Sequence, residues 1–178
     1  MASIGHVVVG MAAARVYRQP HQARCSIVTA MAIWAMLSLL PDADVLGFRF
    51  GIRYGDTFGH RGATHSLLFA GLVAAAIGGI ARRLRLPAWR TTWVALIVVG
   101  SHGLLDTLTD GGLGCALFWP FSAQRYFAPW NPIPVAPIGR HFFSAAGLAV
   151  ALEEAVWFAP LLVYALWPRP RTAISDET

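Results

Sequence analysis

Four apolar stretches, at roughly 25–40, 64–81, 91–109 and 142–167, and a shorter fifth at 3–17, decide most of what this chain can fold into. Crossing a hydrocarbon core as a helix takes about 20 residues, so the four are long enough, or nearly so, to span a bilayer. In a chain of 178 residues that is 56% hydrophobic, they leave too little polar sequence for a soluble domain of this size. Backbone groups in lipid must find partners inside their own element, and no alternating strand pattern runs through the sequence, which selects helices over a barrel. The expected fold is all-α, a polytopic membrane bundle of about five helices forming one domain over 1–178. The segments 3–17 and 25–40 are short enough to be tilted, half-inserted or packed within the bundle.

Charge orients the bundle. All fourteen basic residues are arginine, and nine lie in three places: Arg15, Arg18 and Arg24; Arg82, Arg83, Arg85 and Arg90; and Arg169 and Arg171 in a flexible tail at 169–178. These belong on the cytoplasmic side. The connections 41–63 and 110–141 face outward: Asp42, Asp44, Asp56, Asp106 (just inside its span) and Asp110 stand there against five arginines. Topology thus accounts for the net charge of +5 and argues against nucleic acid as a partner. Met1 to Ala14 carries no charge ahead of its apolar residues, the reverse of a signal peptide, so this segment is expected to be retained. Cys25 and Cys115 fit no zinc spacing and fall at opposite ends of spans, so no disulfide is expected. In 110–141, Pro120, Pro129, Pro132, Pro134 and Pro137 interleave with Trp119, Phe121, Tyr126, Phe127 and Trp130. Prolines exclude a helix and aromatic rings favour the headgroup layer, which predicts an irregular extracytoplasmic cap.

Histidines and aspartates converge at that outer level. His6 opens the first helix, Asp42 and Asp44 (PDAD) close the second, and His60 and His65 (GHRGATHS) open the third. His102, Asp106 and Asp110 (SHGLLDTLTDGG) then follow at i, i+4 and i+8. Residues four apart on a helix have Cβ atoms about 6 Å apart, so His102 and Asp106 can bind one ion, and the second oxygen of Asp106 can bridge to another. Imidazole with carboxylate suits zinc, manganese or iron rather than calcium, with zinc the first choice.

Singly, each residue has a plainer reading. Asp42 follows Pro41 at a helix end, Asp110 precedes Gly111 and Gly112, Asp56 reads as a solvated loop acid, and His21 falls on the arginine-rich side. Convergence carries the metal reading, because ionisable groups at membrane depth are costly and mark function. Glu153 and Glu154 lie near the middle of the last apolar stretch, where one can support a ligand histidine or pair with an arginine of the first helix. Arg61, Arg140 and His141 are candidates for holding an anionic substrate.

The motifs PDAD at 41–44, GHRGATHS at 59–66 and SHGLLDTLTDGG at 101–112 resemble the YdjM family of bacterial inner-membrane proteins, regarded as metal-dependent hydrolases and in part under LexA control. The likeness runs from ASIGH at 2–6 to WNPIPVAPIG at 130–139. It implies a multi-pass helical protein of the inner membrane with a hydrolase activity. More distantly, the pattern is similar to that of the zinc-dependent phospholipases C and single-strand-specific nucleases. Carried over, this likeness implies His6, Asp44, His60, His102 and Asp106 as metal ligands. It lacks a second HxxxD/E pair, since Ala145 follows His141 by four residues, which points to one or two ions rather than three.

The reading that results is a membrane-bound metal-dependent hydrolase, cleaving a phosphate ester of a lipid or lipid-linked molecule at the outer face. Asp42, His65, Asp110 and Arg61 are its candidate catalytic residues; Arg61, Arg140 and His141 are its candidate substrate contacts. Which of His60 and His65 binds metal stays open, because on a continuous helix they would point about 140° apart. The competing class is a non-catalytic membrane protein with a structural metal site or a cation path.

Overall fold

The computed structural model describes residues 4–17 and 25–168. The expectations for Arg18, His21, Arg24, Arg169, Arg171 and the tail fall outside the described residues. The fold is all-helical: α1 (Ile4–Tyr17), α2 (Ile27–Ser38), α3 (Leu67–Arg83), α4 (Ala88–Asp106), α5 (Ala145–Trp157) and α6 (Ala159–Leu166). Among the described residues, β pairing is confined to two isolated bridges, Thr109 with Ile133 and Cys115 with Tyr126.

Serine marks three of the helix starts. Ser26, Ser66 and Ser144 each accept a hydrogen bond from the backbone N–H three residues on, at Thr29, Phe69 and Gly147, satisfying a donor that the first turn leaves open. The last apolar stretch is not the single segment expected over 142–167. A short 3-10 turn (Gly139–Phe143) precedes α5, and α5 and α6 meet at a 71° bend. Pro160, at the start of α6, has no N–H to continue α5 and its ring crowds the carbonyl four residues back. Asp42 and Asp44 do not sit in a plain loop either. They lie on a 3-10 helix, Leu40–Phe50, that continues α2 at a 50° bend and ends on Gly51 in the left-handed region (φ 81°).

Small residues bring the helices together. At Gly10 of α1, a Cβ would lie 2.5 Å from the backbone of Ala35 in α2, so only glycine permits that approach. Ala14, Ala30, Trp34, Ala74, Ala95 and Val98 join α1, α2, α3 and α4 in one core. Large apolar side chains instead face outward: Val28, Ile33 and Met36 on α2, Leu72 and Ile80 on α3, Trp93 and Ile97 on α4. No single helix among the described residues is long and apolar enough to cross a membrane. The two bent pairs, α2 with Leu40–Phe50 and α5 with α6, reach that length and composition together.

The bundle has two chemically different ends. Arg15 lies at the C-terminal end of α1, Arg82 and Arg83 end α3, and Arg90 opens α4. Arg90 donates to the Val16 carbonyl and Tyr17 bonds Thr91, which fixes these ends side by side. His6 begins α1, and His102 and Asp106 lie in the last turns of α4, so they stand at the opposite end. Segment 107–138 closes over that end without regular structure: Ala128 N–H donates to the Thr107 carbonyl, Leu67 N–H to Leu117, and Ala116 N–H to Arg61.

Candidate metal centre

Four side chains from two helices and a turn meet at this end. Asp42, His65, His102 and Asp106 each offer one donor atom, and the four atoms lie within 4.8 Å of one another. Asp42 comes from the 3-10 helix after α2, His65 from a single 3-10 turn (Ala63–His65) before α3, and His102 and Asp106 from α4. His65 can approach α4 because the residue facing its carbonyl is Gly103; a Cβ there would sit 2.2 Å from that oxygen.

Hydrogen bonds fix the tautomers of the two histidines. His102 Nδ1 is 2.7 Å from the Ser38 carbonyl, which only accepts, so the proton is on Nδ1 and Nε2 carries a lone pair. His65 Nδ1 lies 3.3 Å from Asp44 Oδ2 and 3.1 Å from Thr64 Oγ1, which assigns its proton in the same way. In the neutral rings both Nε2 atoms are then bare, and they face each other at 3.2 Å. Asp42 Oδ1 lies 3.3 Å from one and 3.5 Å from the other, and Asp106 Oδ2 lies 3.5 Å from His65 Nε2 and 4.0 Å from His102 Nε2. Ligands at about 2.0–2.1 Å from one tetrahedral ion stand about 3.3 Å apart. Electron-rich atoms so arranged repel one another unless a proton or a metal cation lies between them. The donor set could therefore hold a metal ion.

A second ring surrounds these four. His6, fully buried and stacked on His102 with centroids 3.7 Å apart, has Nε2 3.2 Å from the other oxygen of Asp106. Arg61 is buried, holds Nε 3.3 Å from Asp106 Oδ2 and donates Nη1–H to the Gly111 carbonyl. Its backbone is in the left-handed region, φ 62°, a costly conformation for a residue with a side chain. Asp44 accepts from His60 at 2.8 Å and from the Thr64 hydroxyl at 2.7 Å. Asp44, His60 and His65 make up a second group of closely spaced donors that shares His65 with the first. Three carboxylates and one guanidinium leave two negative charges at the site before any histidine is protonated, a balance that a divalent cation would neutralise.

The sequence-predicted residues fall at different places around the cluster. Asp42 and His65, read as catalytic, stand among the four close donors; His6, Asp44 and His60, read as ligands beside His102 and Asp106, stand one step out. His60 and His65 are not placed by a helix. Turns run through 60–62 and α3 begins only at Leu67, so both rings lie beside Asp44 with centroids 5.4 Å apart. Asp110 is exposed and accepts from Val135 N–H, holding the cap. Arg140 and His141 sit exposed on the 3-10 turn before α5, off the wall of the pocket described below. Asp56 is exposed and accepts from Arg53 N–H. Glu153 is exposed, whereas Glu154 is buried and accepts from Gly5 N–H, the residue before His6; Arg15 donates instead to the Ala165 carbonyl.

A cavity of about 450 Å³ opens over the cluster. Asp42, Tyr54, His60 and Arg61 form its polar floor; Val45, Val135, Pro137, Ile138, Phe142 and Phe143 are among its apolar walls. Asp42 is the member of the four-donor group with appreciable exposure, 25% for its side chain, so the group is open on the side facing the cavity. Sequence reasoning did not single out Tyr54, Thr64 or Ser38, which carry no spacing signal. Burial raises the pKa of Tyr54, so its hydroxyl remains a donor. Burial, and then the charge of Asp106, push the Cys115 thiol up to about 12; neither cysteine is in a disulfide.

Relatives carry the same description. The chain is 44% identical over 141 residues to the inner membrane protein YbcI of Escherichia coli strain K12, covering 76% of this chain and 82% of that protein. No solved structure matches. The family model of the YdjM inner membrane protein matches residues 1–172, and the chain belongs to the YdjM family of inner membrane proteins.

Proposed function

We propose that this protein is a multi-pass inner-membrane hydrolase that uses a divalent metal, zinc in the first instance with manganese or iron as alternatives, to cleave a phosphate ester of a lipid or lipid-linked molecule at the extracytoplasmic face. One observation carries the reading: two histidine Nε2 atoms and two carboxylates lie within 4.8 Å of one another beside an apolar-walled cavity. Four protein ligands saturate a tetrahedral structural ion, so turnover here would need a fifth position for water, on the side that Asp42 exposes to the cavity.

The inverted packing, with small residues inside and Val28, Ile33, Leu72 and Ile97 outside, suits a lipid environment. The arginines at the far end of the bundle favour a cytoplasmic location for that end, which supports an extracytoplasmic cluster. Bound there, the metal would lower the pKa of a coordinated water toward neutrality and polarise a phosphoryl oxygen. Asp42, His65, His102 and Asp106 would hold it, and His6 and Arg61 would keep Asp106 charged and oriented. His60 lies at the cavity floor, where it can take the proton from the attacking water, and the Tyr54 hydroxyl and the guanidinium edge of Arg61 face the phosphate. The Val135–Phe143 wall would receive the apolar arm of the substrate.

The test is to purify the full chain in mild detergent, measure bound metal, and assay phosphomonoester and phosphodiester lipids beside His102→Ala and Asp106→Asn. Metal-dependent turnover lost in both variants is the expected result. Undiminished metal in both removes the site, and bound metal without turnover on any lipid phosphate removes the hydrolase.

A further inference from the structure

We infer that Asp44 is not a ligand but the carboxylate behind two histidines, presenting His65 to a single metal ion through Nε2 and holding His60 off the metal and toward the cavity. The inference rests on the metal reading above and adds to it the number of ions and the division of labour between the two histidines.

The two candidate donor groups share His65, so two centres are conceivable: a pair of ions bridged by the His65 ring, or one ion with an outer carboxylate. Distances separate them. His60 Nδ1 and Asp44 Oδ1 are 2.8 Å apart, a hydrogen-bond length and shorter than the roughly 3.3 Å between neighbouring ligands of a tetrahedral ion. The other oxygen of Asp44 already accepts from the Thr64 hydroxyl at 2.7 Å and faces His65 Nδ1 at 3.3 Å. Both carboxylate oxygens are thus taken by protein donors. The four-donor group has no such closure: with both histidines neutral and their protons on the far nitrogen, the facing Nε2 atoms cannot bond to each other.

Asp44 is suited to the outer role. Its side chain is almost wholly buried, and it lies two residues from Asp42 on a 3-10 helix, where each residue turns about 120°. Two residues on, the side chain points away from the α4 donors and toward the 60–65 turn. A carboxylate accepting from the Nδ1–H of a ligand histidine fixes the tautomer and raises ligand basicity. The same carboxylate, accepting from His60 Nδ1–H, leaves Nε2 as the nitrogen that faces the cavity lined by His60.

The experiment titrates the metal-free full chain in detergent with cobalt(II), reading stoichiometry, affinity and the visible ligand-field bands for wild type, His60→Gln and Asp44→Asn. Expected are one ion per chain in the wild type, the same affinity and bands in His60→Gln, and in Asp44→Asn the same bands with affinity lowered roughly 10- to 100-fold. Two ions per wild-type chain, altered bands or a lost ion in His60→Gln, or altered bands in folded Asp44→Asn would each overturn the inference. So would an Asp44→Asn chain that melts lower yet binds cobalt with unchanged affinity, the mark of a purely structural role. If Asp44→Asn does not fold, the wild-type stoichiometry and His60→Gln still decide it. These readouts need no turnover, so a failed hydrolase assay leaves them standing.

Discussion

Gly103→Ala should damage the metal site without touching a ligand. The added Cβ would lie 2.2 Å from the His65 carbonyl oxygen, a backbone atom that no rotamer change can move, and 3.2 Å from a methyl carbon of Leu117. Reaching ordinary contact requires the α4 backbone and the 63–65 turn to separate by about an ångström. Metal–ligand distances tolerate only about 0.2 Å, so His65 would be carried out of place and affinity should fall roughly 10- to 100-fold. At saturating metal, that removes about 1.4–2.8 kcal/mol of the stabilisation that binding confers. Overpacking costs a further ~1–3 kcal/mol, with or without metal. The assay is thermal unfolding in detergent with chelator and with excess zinc. The variant should melt lower in chelator, and its zinc-induced rise should shrink. Gly100→Ala, one turn earlier with its Cβ at an ordinary 3.7 Å from Ala70 Cβ, is the control and should keep the full rise. A full zinc-induced rise in Gly103→Ala would refute the argument that His65 binds the ion.

Three further outcomes follow from the same geometry. Asp110→Ala, which loses only the hydrogen bond from Val135 N–H at the cap, should cost about 1 kcal/mol in thermal unfolding and leave zinc content unchanged. Arg61→Met should be strongly destabilising, by roughly 3–5 kcal/mol on the scale for breaking a buried ion pair, because Asp106 keeps its charge after losing its guanidinium; recovery of folded protein and the unfolding midpoint measure it. Maleimide labelling of the folded chain should modify Cys25 and spare Cys115. Cys115, with its pKa raised to about 12, is held as the thiol at all pH values below that and loses the proton only as pH rises through it, so raising pH from 7 to 9 should leave Cys115 unlabelled; mass mapping reads both sites.

How much of this was legible in the sequence depended on whether the information was local. Helix extents were, in outline, because apolar runs mark them: the stretches 64–81 and 91–109 correspond to Leu67–Arg83 and Ala88–Asp106. The pairing of His102 with Asp106 was too, since four residues along α4 fix their relation without reference to any other element. The break at Pro160 carried its signal in the residue itself, and an unbroken 142–167 was expected only because apolar composition was weighted above proline. Which of Asp42 and Asp44 faces α4 could not be read the same way. It depends on a 3-10 continuation of α2, and the sequence PDAD fits a loop or a turn as well. His60 and His65 were unassignable for a related reason: their relation is set by turns that include Arg61 at positive φ, whereas a helical wheel would have set them apart.

These non-local features share a cause. Asp106 is surrounded by His6, Arg61, His65 and His102, drawn from α1, two positions of the 60–65 turn and α4 itself, so its charge is compensated only once three parts of the chain have docked. Glu154 bonds Gly5 N–H and thereby ties α5 to the turn of α1 that carries His6. An uncompensated carboxylate in such surroundings is costly, so the cluster makes correct docking of these helices a condition of stability, and not only of function. On this argument, substitutions that neutralise Asp106 should loosen the chain's requirement for His6 and Arg61. A double variant that removes Asp106 and Arg61 together should be more stable than the one that removes Asp106 alone. Unfolding midpoints of the single and double variants in chelator measure that coupling, and additive losses would show that the docking of α1 and the 60–65 turn does not depend on the charge at Asp106.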